Sequence, residues 1–140
     1  MFEEARSGLF QITLFEARGL RNIDPMGQQN PYVQFQLGEG YSKRSRTIKN
    51  GGTKPYFSEE AVLLWVNQDN WINDLKVDIF DDDMGQDKPI GSTHFSLLGY
   101  MNQTEAKEDV YDLFYITKAD PKDNTSIQEV AQGQLIMRVR

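Results

Sequence analysis

Apolar and polar residues alternate with a period of two through most of the chain. In residues 8–20, Phe10, Ile12 and Leu14 are separated by polar side chains. This is the pattern of a strand with one face against a core and the other in solvent. Alternating segments, one polar β-branched segment (42–49) and one segment apolar on both faces (61–66) together predict eight strands. They are residues 8–20, 31–38, 42–49, 61–66, 75–79, 90–98, 109–116 and 133–140.

Turn residues separate these strands, so the pattern predicts an all-β fold, an eight-stranded antiparallel β-sandwich. Residues 102–109 are predicted to hold one helical turn with Thr104 as its N-cap. The polar residues 118–133 are predicted to form a loop between the last two strands. A chain of 140 residues is long enough for one ordinary domain, which we assign to residues 1–140 with its core in residues 8–140.

The composition narrows the functional class. Hydrophobic residues make up 39% of the chain and charged residues 26%, as in a globular protein. There is no cysteine, which excludes disulfides and thiolate zinc sites. The chain has neither an apolar run of roughly 20 residues nor a signal-peptide pattern, so we expect a cytoplasmic protein and a monomer. A net charge of −6 argues against nucleic acid as a partner.

Four aspartates lie close together at the end of the strand predicted in residues 75–79. They are Asp81, Asp82, Asp83 and Asp87. Neighbouring carboxylates repel one another unless a cation neutralises them, although aspartate is also common in solvated turns. Side chains two residues apart in an extended segment point the same way, and Ca²⁺ takes six to eight oxygen ligands. The flanking strands and the absence of the required glycine exclude an EF-hand loop.

Three blocks of sequence resemble a known family. They are "ARGLRNIDPMGQQNPYVQFQLG" (17–38), "KRSRTIKNGGTKPYFSEEAVLLW" (43–65) and "LKVDIFDDDMGQDKPIG" (75–91). In this order they resemble a C2 domain, the β-sandwich module that brings protein kinase C and synaptotagmin to membranes. The resemblance covers about residues 8–97. Because the first strand leads directly into "ARGL", the chain resembles the phospholipase-type topology of that family, and it is similar to small free-standing C2 proteins of plants.

The resemblance implies a Ca²⁺ site built from two loops. Asp24 matches the aspartate of the first loop, and Asp81 and Asp83 match the Asp-x-Asp pair of the third. At two positions the chain departs from the family pattern. Asn30 stands where an aspartate usually precedes "PYV", and Lys88 stands at the last ligand position, with Asp87 one residue earlier. The implied ligands are therefore Asp24, Asn30, Asp81, Asp83 and Asp87.

The resemblance also implies contacts with a membrane. Met26 and Met84 lie in the two ligand loops and could enter the headgroup region, the alternative being partly buried loop residues. A basic segment could bind phosphoinositide or other anionic lipid, the alternative being a strand that uses its charges to prevent edge pairing. The basic residues concerned are Lys43, Arg44, Arg46, Lys49 and Lys76.

No catalytic motif accompanies these features. The single histidine, His94, has neither a nucleophile-elbow motif nor a second histidine near it, which favours a structural role. We therefore expect a non-enzymatic, Ca²⁺-responsive module that binds anionic phospholipids by reversible peripheral association. One alternative is a Ca²⁺-independent module with a degenerate metal site that binds a protein partner. Another is a targeting domain of a larger lipid-signalling enzyme.

Overall fold

The computed structural model describes residues 8–24, 27–66, 74–83, 86–100, 107–117, 122 and 127–139. These residues form eight strands and one short 3₁₀ helix, Leu97–Tyr100. The strands are β1 (Gly8–Arg18), β2 (Pro31–Leu37), β3 (Ser42–Arg44), β4 (Tyr56–Val66), β5 (Asp74–Asp81), β6 (Lys88–Ser96), β7 (Lys107–Thr117) and β8 (Gln128–Val139). None of the described residues belongs to a helix long and apolar enough to cross a bilayer.

The strands pair in the order β3-β2-β5-β6-β7-β8-β1-β4, and every pair is antiparallel. Strands β6 and β7 are joined through one residue pair, Ser92 with Phe114. The sheet therefore divides at this junction into two four-stranded halves, whose inward side chains share one hydrophobic cluster. The predicted eight-stranded antiparallel β-sandwich is confirmed.

The alternating pattern places the predicted apolar positions in this core. Ile12 and Leu14 of β1 pack in the same cluster as Phe35 of β2 and Ile79 of β5, and all four are fully buried. Burying a side chain of this size contributes about 1.5–3 kcal/mol relative to leaving it exposed. The core thus fixes which face of each strand points outward, and with it the faces that carry the charged residues.

A side chain from the β1–β2 loop spans the sparsely paired junction of β6 and β7. The Arg21 guanidinium donates hydrogen bonds to the carbonyl oxygens of Pro89, at 2.9 Å, and Ile90, at 3.3 Å. Its carbon lies 4.1 Å from the ring centroid of Tyr115 in β7. Arg21 therefore holds the start of β6 against β7 and fixes where the loop between β5 and β6 ends.

The strand at one edge of the sheet, β4, is covered by side chains from the segment around β3. The backbone N–H of Trp65 donates to the Tyr41 hydroxyl at 2.8 Å, and the carboxylate of Glu60 accepts from the N–H of Arg46 at 3.0 Å. The first bond uses a backbone donor of β4 that an open edge would leave free for another chain, and the second ties the segment after β3 to a side chain of β4.

Strand β3 is shorter than predicted. The polar pattern of residues 42–49 predicts one continuous strand, whereas β3 ends at Arg44. Ser45 turns inward and is buried. Its hydroxyl accepts from the N–H of Val33 at 2.9 Å and donates to the carbonyl of Arg46 at 2.9 Å. The buried hydroxyl thus takes over hydrogen bonding that a longer strand would have supplied.

Strands β4 and β8 are longer than predicted. Strand β4 begins at Tyr56, and Leu63 and Trp65 remain 50% and 48% exposed because β4 alternates between core and solvent. Strand β8 takes in residues 128–132 of the predicted loop, since polar residues suit an exposed hairpin with β7. The helical turn predicted around Thr104 lies mostly outside the described residues, and its last three residues, 107–109, belong to β7.

A close approach between β8 and the end of β1 generates a prediction about stability. Gly133 has φ +90°, and a Cβ there would lie 3.1 Å from the carbonyl oxygen of Gly19 and 3.2 Å from the Cα of Leu20. We expect Gly133→Ala to lower the free energy of unfolding by about 2 kcal/mol or more, because backbone strain adds to a steric clash.

Gly40→Ala is the matched control for Gly133→Ala. Gly40 also has a positive φ, +83°, but a Cβ added there would have no heavy atom within 4 Å apart from those of its chain neighbours. We expect a smaller loss there, of about 1 kcal/mol, from strain alone. Urea unfolding of both variants measures the difference. Equal losses would show that the approach of β8 to β1 is not tightly constrained.

Candidate functional site

The acidic residues meet where three strands reach the same edge of the sandwich. In the sheet, Asp81 at the end of β5 lies opposite Pro31 at the start of β2 and Lys88 at the start of β6. The N–H of Asp82 also donates to the carbonyl of Asn30 at 2.9 Å. We call the five side chains gathered here the acidic edge, namely Asn30, Asp81, Asp82, Asp83 and Asp87.

Asp81 is the buried member of the acidic edge. It is 5% exposed, and its Oδ1 accepts a hydrogen bond of 2.7 Å from the backbone N–H of Asn30. The side-chain oxygen of Asn30 in turn accepts from the N–H of Asn50 at 2.8 Å. Asn50 has φ 58°, so this bond helps to hold a left-handed turn. Both predicted ligands therefore already use an oxygen lone pair to join loops, and each oxygen retains a second one.

The partners of Asp82 lie at the end of β3 and in the segment that follows it. Its Oδ2 accepts from the hydroxyl of Thr47 at 2.7 Å and lies 3.6 Å from the Nη2 of Arg44. Arg44 also donates to the Thr47 hydroxyl at 3.0 Å, and its guanidinium carbon lies 3.6 Å from the centroid of the Tyr32 ring. A residue predicted to contact lipid is thus a partner of the acidic edge in this structure.

Asp83 and Asp87 each have a partner within the protein. Lys88 Nζ lies 3.5 Å from Oδ2 of Asp83, and both side chains are about half exposed. The hydroxyl of Tyr32 donates to Oδ2 of Asp87 at 2.5 Å. Burial, followed by this hydrogen bond, raises the pKa of Tyr32 to about 12. The donors and cations of the protein therefore compensate part of the charge of the loop.

Asp24 lies in the β1–β2 loop. Its backbone N–H donates to Oδ1 of Asn22 at 3.1 Å, which gives a local turn. Within the described ranges, no three acidic or histidine side chains are close enough together to hold a metal ion. The donors of the acidic edge are oxygens, the ligand type that Ca²⁺ prefers, so they fit this ion in kind. In the geometry seen here their oxygens face protein partners instead.

The predicted basic residues do not share one surface. Arg44 pairs with Gln34 and Lys76 with Gln36, which places both basic side chains on the outer face of the β3-β2-β5-β6 half. Lys43 pairs with the buried Phe35, so it lies on the other face of β3.

The remaining predicted contact residues lie elsewhere. Arg46 bonds to the carbonyl of Phe57 at 3.1 Å and pairs with Glu60 at 3.5 Å, while Lys49 is exposed in a turn. Nζ of Lys76 lies 3.9 Å from Oδ2 of Asp78. Burial raises the pKa of the Asp78 carboxyl. Met26 and Met84, predicted to enter the membrane, lie outside the described residues.

His94 lies in β6. Its ring is largely exposed, and Nδ1 lies 3.3 Å from Oδ2 of Asp74. This contact joins neighbouring residues of β5 and β6, at a distance from the acidic edge.

Gln29 is a positioning residue that the sequence pattern did not reveal. It is fully buried, and its amide nitrogen donates to the carbonyls of Arg21, at 2.9 Å, and Gly52, at 3.0 Å. Its side-chain oxygen accepts from the N–H of Ile23 at 3.1 Å. Gln29 thereby ties the loop that precedes Asn30 to the turn that follows β3. A glutamine in a polar loop has no periodic signature, whereas Tyr32, an aromatic residue on a polar strand face, could have been noticed.

Comparison with known proteins agrees with this architecture. The family model described as "C2 domain" matches residues 8–113. Synaptotagmin-3 of Arabidopsis thaliana is 30% identical over 108 residues, which cover 76% of this chain and 19% of that protein. A second Arabidopsis thaliana protein, named calcium-dependent lipid-binding protein, is 26% identical over 84 residues, which cover 60% of this chain and 16% of that protein. The chain thus spans less than a fifth of the length of these two relatives.

A solved structure shares the fold over almost the whole chain. A C2 domain of a plant Extended Synaptotagmin 1 superposes with a TM-score of 0.68 at 20% sequence identity, covering 94% of this chain and 92% of that one. At this level of identity the superposition supports the arrangement of strands and does not identify ligands.

The hydrogen bond between Tyr32 and Asp87 generates a prediction about pH. Because folding raises the pKa of Tyr32 from 10.0 to about 12, its stabilising effect is complete below pH 10 and is lost as the pH rises through about 12. We expect wild-type stability to fall over this range by about 2 kcal/mol more than that of Tyr32→Phe. Chemical unfolding at a series of alkaline pH values measures the difference.

Tyr111 serves as the internal reference for this comparison. Burial, followed by a hydrogen bond with Tyr100, also raises its pKa, and it is present in both proteins, so its contribution cancels. Parallel pH profiles for wild type and Tyr32→Phe would mean that burial and the bond to Asp87 together do not raise the pKa of Tyr32 in solution.

Proposed function

Because the chain belongs to the C2 domain family, we propose that it is a non-enzymatic module that binds anionic phospholipid surfaces and responds to Ca²⁺. The observation that carries the proposal is that Asp81, at the end of β5, lies opposite the start of β2, while three further aspartates follow in the loop between β5 and β6, one of them beside Arg44. The name of the calcium-dependent lipid-binding relative supports the same class of ligand.

The proposed Ca²⁺ ligands are those that the family resemblance implies. Bound Ca²⁺ would supply two positive charges and coordination positions for lipid oxygens. The protein contributes a preformed edge, in which Gln29 and Asn30 hold the β1–β2 loop beside Asp81. The ligands would be Asp24, Asn30, Asp81, Asp83 and Asp87.

Lipid contact is proposed for the outer face of the β3-β2-β5-β6 half. Arg44 and Lys76 lie on one outer face, and about 1 kcal/mol per basic residue near an anionic surface would assist binding. Lys43, Arg46 and Lys49 are further candidates for contact with the phosphoinositide headgroup. Met26 and Met84 are candidates for insertion. We propose that residues 1–140 act as one monomeric domain that associates reversibly with the cytoplasmic surface of membranes.

A Ca²⁺-independent module is the second candidate function, and a specific observation favours it. Each of the four aspartates contacts a hydrogen-bond donor or a cation of the protein, namely Asp81, Asp82, Asp83 and Asp87. Their negative charge is therefore partly compensated without a metal ion. In that case the partner would be a protein, or a lipid recognised without Ca²⁺. Since the chain spans a small part of its relatives, a targeting role within a larger lipid-signalling protein belongs to the same proposal.

The first test removes the two charges of the Asp-x-Asp pair. We expect Asp81→Asn with Asp83→Asn to abolish Ca²⁺ binding and Ca²⁺-dependent sedimentation with phosphatidylserine vesicles, because Ca²⁺ affinity depends on the charge of its ligands. Calorimetric titration of the metal-free proteins and sedimentation of the vesicles measure both effects.

The matched control for this test is Glu108→Gln with Asp109→Asn. This variant changes the net charge by the same amount through two exposed residues of β7. Unchanged Ca²⁺ affinity in the Asp81 and Asp83 variant would exclude this pair from the site. Loss of binding in both double variants would point to a general effect of net charge.

The second test concerns Lys88, which pairs with a proposed ligand. Its ammonium lies 3.5 Å from Asp83, so Ca²⁺ must compete with it. Exposed ion pairs are worth about 0.2–1 kcal/mol, and we therefore expect Lys88→Gln to raise Ca²⁺ affinity by up to about fivefold.

Lys54→Gln is the control for Lys88→Gln, since Lys54 is an exposed lysine in the segment between β3 and β4. Titration calorimetry compares the two variants with wild type. A Lys88→Gln affinity equal to that of Lys54→Gln would show that Lys88 does not compete at the site.

A further inference from the structure

Arg44 has contacts on two sides that serve different purposes. Its guanidinium lies over the ring of Tyr32, and the same group reaches Thr47 and Asp82 at its edge. The ring contact leaves the planar edge of the guanidinium free to bind oxygen acceptors. One of those acceptors, Asp82, belongs to the acidic edge.

Tyr32 is itself held firmly in place. Its ring stacks on Phe80 with centroids 5.6 Å apart, its hydroxyl is bonded to Asp87, and it is 4% exposed. The platform under Arg44 therefore does not depend on Asp82. If Asp82 ceased to attract Arg44, the guanidinium would keep its position over the ring and its bonds to Thr47 and Ser45, and the part of its edge that faces Asp82 would become available.

The ion pair with Asp82 is weak enough to exchange. The two side chains are 48% and 43% exposed, and their charged atoms are 3.6 Å apart. Solvent-exposed pairs of this kind contribute at most about 1 kcal/mol. The guanidinium geometry also matches phosphate, an acceptor to which arginine binds with two parallel hydrogen bonds.

We propose that Arg44 is an exchangeable counter-ion, which pairs with Asp82 when the acidic edge carries its full charge and binds phosphate of an anionic lipid surface when that charge is neutralised. The inference rests on the proposed function and describes its regulation. By linkage, lipid that captures Arg44 leaves the charge of Asp82 uncompensated and strengthens the binding of a cation at the acidic edge by the same factor.

The variant Asp82→Asn mimics neutralisation of this one carboxylate. Asparagine keeps an oxygen that accepts from Thr47 but does not hold Arg44 by charge. Asp82 is not among the proposed Ca²⁺ ligands, so the effect can be measured in chelator without any metal ion. We expect Asp82→Asn to bind phosphatidylserine vesicles about three- to fivefold more tightly than wild type under these conditions.

Two further variants make the comparison specific. Glu39→Gln removes the same charge from the exposed turn between β2 and β3, beyond the end of β2 opposite the acidic edge, and measures the effect of net charge alone. Adding Arg44→Gln to Asp82→Asn removes the proposed phosphate ligand. We expect Glu39→Gln to raise the affinity for the vesicles less than Asp82→Asn does. We expect the double variant, with both Arg44→Gln and Asp82→Asn, to bind no more tightly than wild type.

The experiment is vesicle sedimentation of the four proteins in chelator, with wild type repeated in Ca²⁺. An Asp82→Asn gain no larger than that of Glu39→Gln, or one that persists without Arg44, would overturn the exchange. Either result leaves the proposed function intact if wild type binds the vesicles in Ca²⁺. Failure of wild type to bind in Ca²⁺ would instead overturn the proposed function.

Discussion

The close approach of like charges at one edge of the sandwich is the constraint on which the site depends. Asp81 is buried at a strand end, and two further carboxylates follow it directly along the chain. A buried carboxylate without hydrogen bonds would be costly, and its neighbours add repulsion. The fold meets this constraint with a backbone donor from Asn30 for Asp81 and with cations or hydroxyl groups for the others.

These compensating contacts also organise the loops. Asn30 donates to Asp81 through its backbone and accepts from Asn50 through its side chain, so one residue links β5 to the turn after β3. Gln29 adds bonds to Arg21 and Gly52 on the interior side. Since Arg21 also holds the start of β6, the segments around the acidic edge form one connected network. We therefore expect a substitution at any of these positions to alter the placement of the carboxylates.

The strands were predictable from sequence because burial imposes a period of two, and all eight predicted strands are present in the described residues. The contact between Asp81 and Asn30 joins the two loops that the family resemblance names as ligand loops. The protein groups that pair with the carboxylates of the acidic edge were not predictable from the sequence. That Arg44 reaches Asp82 depends on the register of β3 against β2 and on the inward turn at Ser45, which shortens β3. Such register has no local signature, because it is set by contacts between distant segments.

The ion pair of Arg44 with Asp82 alters how the basic segment of residues 43–49 can bind an anion. A row of cations on an outer strand suggests a surface that is always available to anionic ligands, yet one of them is paired with Asp82 and another, Arg46, with Glu60. The chain has 21 acidic and 15 basic side chains, so carboxylates outnumber the cations with which they can pair. The affinity of this surface for an anion is then set by how strongly its own carboxylates compete. Under the proposed exchange of Arg44, neutralising the acidic edge would act twice, since it would remove repulsion and also release a cation.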